Sequence, residues 1–347
     1  MVKRFVFAVP GDLSTPTGGY AYDRRMIAEL GSLRWQIDLI DLGEGFPYPS
    51  DATHKAAHER LLAIPGDRIV VVDGLALGVL PKTAQRLNRL LALVHHPLAV
   101  ESGIDAKQAE KLRTSEQAAL SAARHVVVTS SATAGQLASH YAVPAERITI
   151  VRPGCDPVPP AQRSHDGTAR LLSVGAVIPR KGYDVLIAAL ATMPELPWSL
   201  TIVGDCTRNP TAAARLNADI ERHGLGGRVA VLGAVSPQRL SELYAQADIF
   251  ALASRFEGYG MAYAEAIARG LPVIGTIAGA IPSTVPPDAG LLVAPDDASA
   301  FAAALRRLVG DANERQRFAS AARAAARQLP TWLESAKIFS RTLGALS

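Results

Sequence analysis

Short apolar runs recur along the chain at 5–9, 37–42, 69–72, 90–94, 125–128 and 148–151, and again at 170–174, 200–203, 229–232, 248–253, 272–275 and 291–293. Each is separated from the next by sequence that suits a helix, and the runs are apolar on both faces rather than alternating. Strands of that kind belong to parallel sheets covered by helices on each side. Between the two series, at 153–160 and on through Ser164-His165-Asp166-Gly167, lies the densest concentration of Pro and Gly in the chain, which reads as an extended linker. The pattern therefore predicts an α/β protein of two doubly wound, Rossmann-like domains that face each other across a cleft. The expected boundaries are 1–155, a linker at 156–168, and 169–329.

Local signals refine this. Turn formers fill 10–19, with a helix expected from Tyr20 to Leu30. Ser236 before Pro237 marks a helix start, as does Asp296 or Asp297 ahead of the run holding Phe301, Leu305 and Leu308. Thr331 and Glu334 have capping-box spacing, and Trp332, Ala336, Phe339 and Leu343 share one helical face. Residues 330–347 are thus expected to form a terminal helix that crosses back onto the first domain.

Composition narrows the function classes. With 347 residues the chain has room for two cores, and 48% hydrophobic against 20% charged residues excludes broad disorder. Cys155 and Cys206 are the only cysteines and belong to no metal-spaced cluster, so neither a disulfide framework nor a zinc site is expected, and a cytoplasmic home is. The net charge of +4 is spread along the chain without a nucleic-acid-binding motif, so no nucleic acid is expected as partner. No apolar stretch is long enough for a signal core or a spanning helix, which leaves peripheral contact at the inner membrane face as the one membrane option.

The richest chemistry lies between 254 and 272. Glu257 and Glu265, if on one continuous helix, would be about 12 Å apart along the axis and roughly 80° apart around it. Gly258 and Gly260 place Glu257 instead in a loop after a strand, with a helix opening near Gly260 and Glu265 in its second turn. A helix N-terminus in that position suits an anion. Arg180 and Lys181, just past another expected strand, are suited to a diphosphate, although alone they would read as a solvated basic turn. Other candidates follow strands too: Gly18 and Gly19, which alone could mark a simple turn; His95, with His96 as its alternative; Asp73, better suited to capping the next segment; and Asp205 and Cys206.

Taken together, Pro179-Arg180-Lys181-Gly182 and the Glu257 to Glu265 stretch resemble the retaining family 4 glycosyltransferases of the GT-B fold. Gly18-Gly19, His95-His96-Pro97-Leu98, Val151-Arg152-Pro153-Gly154-Cys155-Asp156 and Trp332 extend the likeness over nearly the whole chain, most specifically in the second domain. The resemblance implies transfer of a sugar, without a cofactor or metal, from a nucleotide-diphosphate sugar in the second domain to a hydroxyl acceptor on the first. Glycan, glycolipid or natural-product glycoside synthesis would be its setting. It implies that Glu257 binds the donor sugar and Glu265 the ribose. Gly258, Tyr259, Gly260 and Met261, with Arg180, Lys181 and Gly19, would hold the diphosphate, and His95 would reach the donor sugar near the reacting centre. One departure is Ala176, where family members often carry Arg; either Arg180 supplies that charge or the diphosphate is held less tightly.

Competing readings are a sugar-nucleotide epimerase or hydrolase on the same fold and a non-catalytic sugar-nucleotide-binding protein. A dehydrogenase is disfavoured, because Pro10-Gly11-Asp12-Leu13-Ser14-Thr15 lacks the dinucleotide fingerprint. Neither the donor's base and sugar, nor the acceptor, nor the oligomeric state is encoded in these motifs.

Overall fold

The computed structural model describes residues 3–101, 103–161 and 167–346. Among these, twelve strands form two separate six-stranded sheets. The first holds β1 (Lys3–Val9), β2 (Trp35–Asp41), β3 (Ile69–Asp73), β4 (Leu90–Val94), β5 (His125–Val128) and β6 (Ile148–Ile150) in the order β2-β1-β3-β4-β5-β6. The second holds β7 (Ala169–Val174), β8 (Trp198–Val203), β9 (Val229–Val231), β10 (Ile249–Ala251), β11 (Val273–Thr276) and β12 (Gly290–Val293) in the order β12-β11-β10-β7-β8-β9. Every recorded pairing is parallel. Each sheet reverses its winding beside its first strand, between β1 and β3 and between β7 and β10. In open sheets of this kind, that reversal at the carboxyl edge is where ligands bind.

The chain divides into two compact units, Met1–Gly154 with Pro330–Ser347, and Cys155–Leu329. The segment expected as a linker does not stand apart from the second unit, since the Ala161 N–H donates to the Arg269 carbonyl at 2.9 Å. Residues 162–166 of that segment lie outside the described residues. Each unit has its own core: Phe250, Trp198, Tyr263 and Phe301 are buried in the second, and Leu61, Val72, Leu90 and Leu120 in the first.

The helix Trp332–Ala345 belongs to the first unit. Its capping box is complete, with Thr331 accepting from the Glu334 N–H and Glu334 accepting from that of Thr331. Trp332, Ala336, Phe339 and Leu343 are all buried. Trp332 packs against Tyr22 of the helix Gly18–Ser32 with ring centroids 5.9 Å apart, and the Ser335 hydroxyl donates to the Arg152 carbonyl at 2.6 Å. Ser236 caps the helix Pro237–Gln246, and of the two candidate aspartates it is Asp297 that caps Ala298–Gly310.

Candidate active site

In the second unit the strand order explains which residues meet. β7 and β10 are neighbours, so the loops leaving their carboxyl ends lie side by side although 76 residues separate Lys181 from Glu257. The Lys181 ammonium donates to Glu257 Oε1 at 2.6 Å, and Arg180 Nη1 stands 3.7 Å from Glu257 Oε2. The Ser254 hydroxyl donates to the same Oε1 at 2.7 Å, and Arg180 Nη1 donates to the Phe256 carbonyl at 3.0 Å. Glu257 is 7% exposed. Burial pushes its carboxyl up, but Lys181, Arg180 and the hydroxyl outweigh this and hold it below the usual carboxylate range. Burial dominates at Lys181, where it lowers the ammonium pKa against the opposing pull of Glu257. Glu257 is therefore what keeps a buried lysine charged.

The surrounding backbone is fixed by several bonds. The Ala280 N–H donates to the Glu257 carbonyl at 2.9 Å, and the Thr284 hydroxyl to that of Tyr259 at 2.6 Å. Arg255 ties this loop to the basic one: its N–H donates to the Arg180 carbonyl at 2.8 Å, and its guanidinium holds Asp184 at 2.8 Å and Asp296 at 2.7 Å. Gly175 lies under the Lys181 stem, where an added Cβ would stand 3.0 Å from Lys181 Cε.

The helix after this loop is Met261–Ala268. Gly260 caps it at φ 88°, a left-handed conformation that glycine takes without the Cβ penalty. Its opening turn adds backbone N–H groups and a positive dipole end to the side of the site that holds two cations. Gly258 and Tyr259 are buried and Met261 is half-buried. Glu265 sits in the second turn, away from the Lys181 cluster, in the company of Tyr244 and Arg269. Burial raises its carboxyl pKa, and these two partners restrain the rise. The two glutamates are thus separated in environment: one is held ionised among cations, and one is half-buried beside a tyrosine.

In the first unit Gly18 and Gly19 do not lie in a loop. Thr17 caps the helix, accepting from the Tyr20 N–H, and the helix runs Gly18–Ser32, two residues earlier than expected. Gly18 is exposed. Gly19 packs on the ring of His95, where an added Cβ would stand 3.2 Å from Cδ2. His95 follows β4, and its Nε2 faces Asp23 Oδ1 at 3.2 Å and Asp73 Oδ2 at 3.6 Å. Asp73 also caps the next segment, as expected, its Oδ1 accepting from the Leu75 N–H at 2.7 Å. His96 is turned elsewhere, bonded to Glu101 at 2.6 Å. The residues beyond are held from below by Glu116, 1% exposed, whose Oε2 accepts from the Leu98 N–H at 2.9 Å. Burial pushes the Glu116 carboxyl up to about 8, against the bonds from Leu98 and Tyr141.

Asp23, Asp73 and His95 are the one set of acidic and histidine side chains among the described residues whose atoms converge within 4.8 Å as metal ligands would. Asp205 folds onto its own loop, accepting from the Thr207 N–H and hydroxyl at 2.7 Å each, and Cys206 is a half-buried free thiol. Neither enters the Lys181 cluster. Sequence reasoning missed Asp23, Ser254 and Arg255. Of these, Asp23 carried a signal: it lies on the buried stripe with Tyr22, Met26 and Leu30, where a charge has no ordinary reason to be.

Residues 158–325 match the model for glycosyl transferases group 1. Over that segment, just under half of the chain, the sequence is similar to this glycosyl transferase family. The D-inositol 3-phosphate glycosyltransferase of Xylanimonas cellulosilytica is 34% identical over 243 residues, covering 64% of this chain and 57% of that protein. The chain thus spans little more than half the length of this relative. An MMP alpha-(1->4)-mannosyltransferase of Mycolicibacterium hassiacum is 28% identical over 322 residues, covering 86% of this chain and 77% of that protein. Among solved structures, Anabaena HepE in complex with UDP-glucose superposes with a TM-score of 0.78 at 20% identity, covering 98% of this chain and 99% of that one. The two Rossmann-like domains are those of a GT-B protein. The group 1 segment contains Arg180, Lys181, Glu257 and Glu265, and hence all of the second unit's candidate site. Among the described residues no helix is long and apolar enough to cross a membrane.

Proposed function

We propose that this protein is a retaining glycosyltransferase, which moves a sugar from a nucleotide-diphosphate sugar to a hydroxyl acceptor. The observation that carries the reading is the buried Lys181–Glu257 pair, 2.6 Å long and flanked by Arg180, at the carboxyl ends of β7 and β10 and beside a helix N-terminus. A nucleoside diphosphate leaves as an anion, and fixed positive charge where negative charge develops lowers the barrier. Lys181 has three donor positions: one is engaged by Glu257, and the others serve the diphosphate with Arg180 and the amides of residues 258–261. Glu257, ionised and pinned by Ser254, accepts from the donor sugar's hydroxyls, and Glu265 from the ribose. In the first unit the family resemblance assigns roles to Gly19 and to His95, the latter toward the donor sugar.

In the transfer step the bond from the anomeric carbon to the diphosphate oxygen breaks, and the acceptor oxygen bonds to that carbon on the same face. The acceptor's proton passes to the departing diphosphate oxygen. Glu257 holds hydroxyls in this scheme and does not attack the carbon. The two free cysteines accord with a reducing, cytoplasmic location, with peripheral membrane contact if the acceptor is a lipid.

The test is nucleotide release from a panel of nucleotide sugars, with and without acceptors, inositol 3-phosphate first because a relative's name includes it. Acceptor-dependent release with a product of unchanged anomeric configuration is expected. Acceptor-independent release of nucleotide would instead point to an epimerase or hydrolase.

A further inference from the structure

Asp23 is fully buried in the helix Gly18–Ser32, and among the described residues neither of its oxygens has a hydrogen-bond partner of good geometry. A carboxylate in that state is costly unless something opposite supplies a proton or a charge. The group opposite is His95 Nε2, at 3.2 Å. Asp73 approaches the same nitrogen at 3.6 Å with the oxygen left over from its capping bond. Three adjacent parallel strands produce this convergence: the helix after β1 carries Asp23, β3 ends in Asp73, and β4 leads into His95. Around the ring, Tyr22 packs edge-on with centroids 5.4 Å apart, Gly19 lies against Cδ2, and the Thr129 hydroxyl donates to the His95 carbonyl at 3.2 Å. The ionisable groups facing the imidazole are therefore Asp23, Asp73 and Tyr22.

We infer that Asp23 and Asp73 form a carboxylate clamp that keeps His95 an imidazolium, protonated on both ring nitrogens, so that it acts as a fixed hydrogen-bond donor and positive charge and not as a general base. Burial alone would lower the imidazole pKa, but the two carboxylates outweigh it and push it up to about 10. Burial raises Asp23 to about 6, with His95 pulling it back and Asp73 pushing it further up. Two acids around one imidazolium leave one negative charge in excess, and Asp23, the more deeply buried, takes the strain. Asp23 is a positioning residue: it acts through His95. The consequence for catalysis rests on the transfer reaction proposed above, whereas the protonation state does not.

The experiment is nitrogen-15 NMR of the histidine side chains in the full-length protein, with His95 assigned by comparison with His95→Gln. Both ring-nitrogen signals of His95 are expected to stay those of an imidazolium from about pH 6 to pH 9, while an unclamped histidine titrates near 6.5. In Asp23→Asn His95 should titrate inside that range, and Asp73→Asn, which retains a capping oxygen, should produce a smaller shift. A wild-type His95 that loses a proton from either ring nitrogen below about pH 9, or one whose titration is unchanged in Asp23→Asn, would overturn the clamp. Stoichiometric Zn2+ binding to chelator-treated protein, lost in Asp23→Asn, would also overturn it, since the three groups would then be metal ligands. If both signals behave as expected, Asp23→Asn should lower kcat by roughly 10-fold to 100-fold with the donor KM little changed. Intact NMR behaviour without any transfer activity would count against the proposed function and leave the clamp standing.

Discussion

The two units carry mirror-image electrostatics. In the second, one buried carboxylate, Glu257, lies between two cations, Lys181 and Arg180; in the first, one imidazole lies between two buried carboxylates, Asp23 and Asp73. Both clusters arise at the winding reversal of a parallel sheet, where neighbouring strands deliver residues far apart in sequence. Their partners differ in kind. Arginine is charged at neutral pH without help, and Lys181, whose burial works against its charge, has Glu257 beside it, so the second cluster has a net positive charge to offer an anion even after Glu257 is counted. Histidine must be kept protonated, and two acids do this while leaving the first cluster net negative. On the proposed reading, the same fold builds a phosphate seat in one unit and a proton-holding device in the other.

Removing the centre of the second cluster should have the largest effect. Glu257→Ala is expected to lower transfer by ~10²–10³-fold, in line with loss of one preorganised polar group, and steady-state kinetics with a saturating donor measures it. Full activity in that variant would remove Glu257 from the reaction. Glu116, also buried in the first unit, is paired with no cation among the described residues and so tests the contrast directly. Its folded pKa lies above the unfolded value, so its contribution to stability is complete below about pH 4.3 and is lost as pH rises through about 8. Glu116→Gln should therefore gain stability relative to the wild type as pH rises across that window, by an amount on the order of a few kcal/mol. Urea denaturation at several pH values reads this, and parallel curves for the two proteins would contradict it.

Glu257, by contrast, has a depressed pKa, so its pairing stabilises above the unfolded carboxylate value and is lost as pH falls through the folded one. Gly19→Ala should press the His95 ring by a few tenths of an ångström and reduce kcat by about 10-fold or less, with no change in melting temperature beyond a few degrees. Smallest is Thr331→Ala, outside both clusters: loss of the capping box should cost about 1 kcal/mol of stability and leave donor affinity unchanged. Thermal denaturation and a binding titration check those two claims together.

Much of this was legible in the sequence, for identifiable reasons. The central strands β3, β4 and β10 could be placed because they are buried on both faces and read as continuous apolar runs, while partly exposed strands such as β2 were marked by their place in the alternation with helices. The loop position of Glu257 followed from Gly258 and Gly260, and the capping box from Thr331 and Glu334. The start of the helix Gly18–Ser32 was placed late because two glycines read as turn rather than as a first helical turn capped by Thr17. Contacts between loops were not legible, because they depend on strand order: nothing near Arg255 reveals that it will hold Asp184, Asp296 and the Arg180 carbonyl at once. Nor does the neighbourhood of His95 name Asp23, 72 residues earlier, as its partner.

The central claim is that the Lys181–Glu257 cluster is the seat of a sugar nucleotide's diphosphate. It is tested most directly by calorimetric titration of the full-length protein with a panel of nucleoside diphosphates and their glucose conjugates. At least one should bind the wild type, with affinity reduced by ~10-fold to 100-fold in Lys181→Ala and unchanged in Thr331→Ala. Binding of equal strength in wild type and Lys181→Ala, or no binding by any member of the panel, would contradict it.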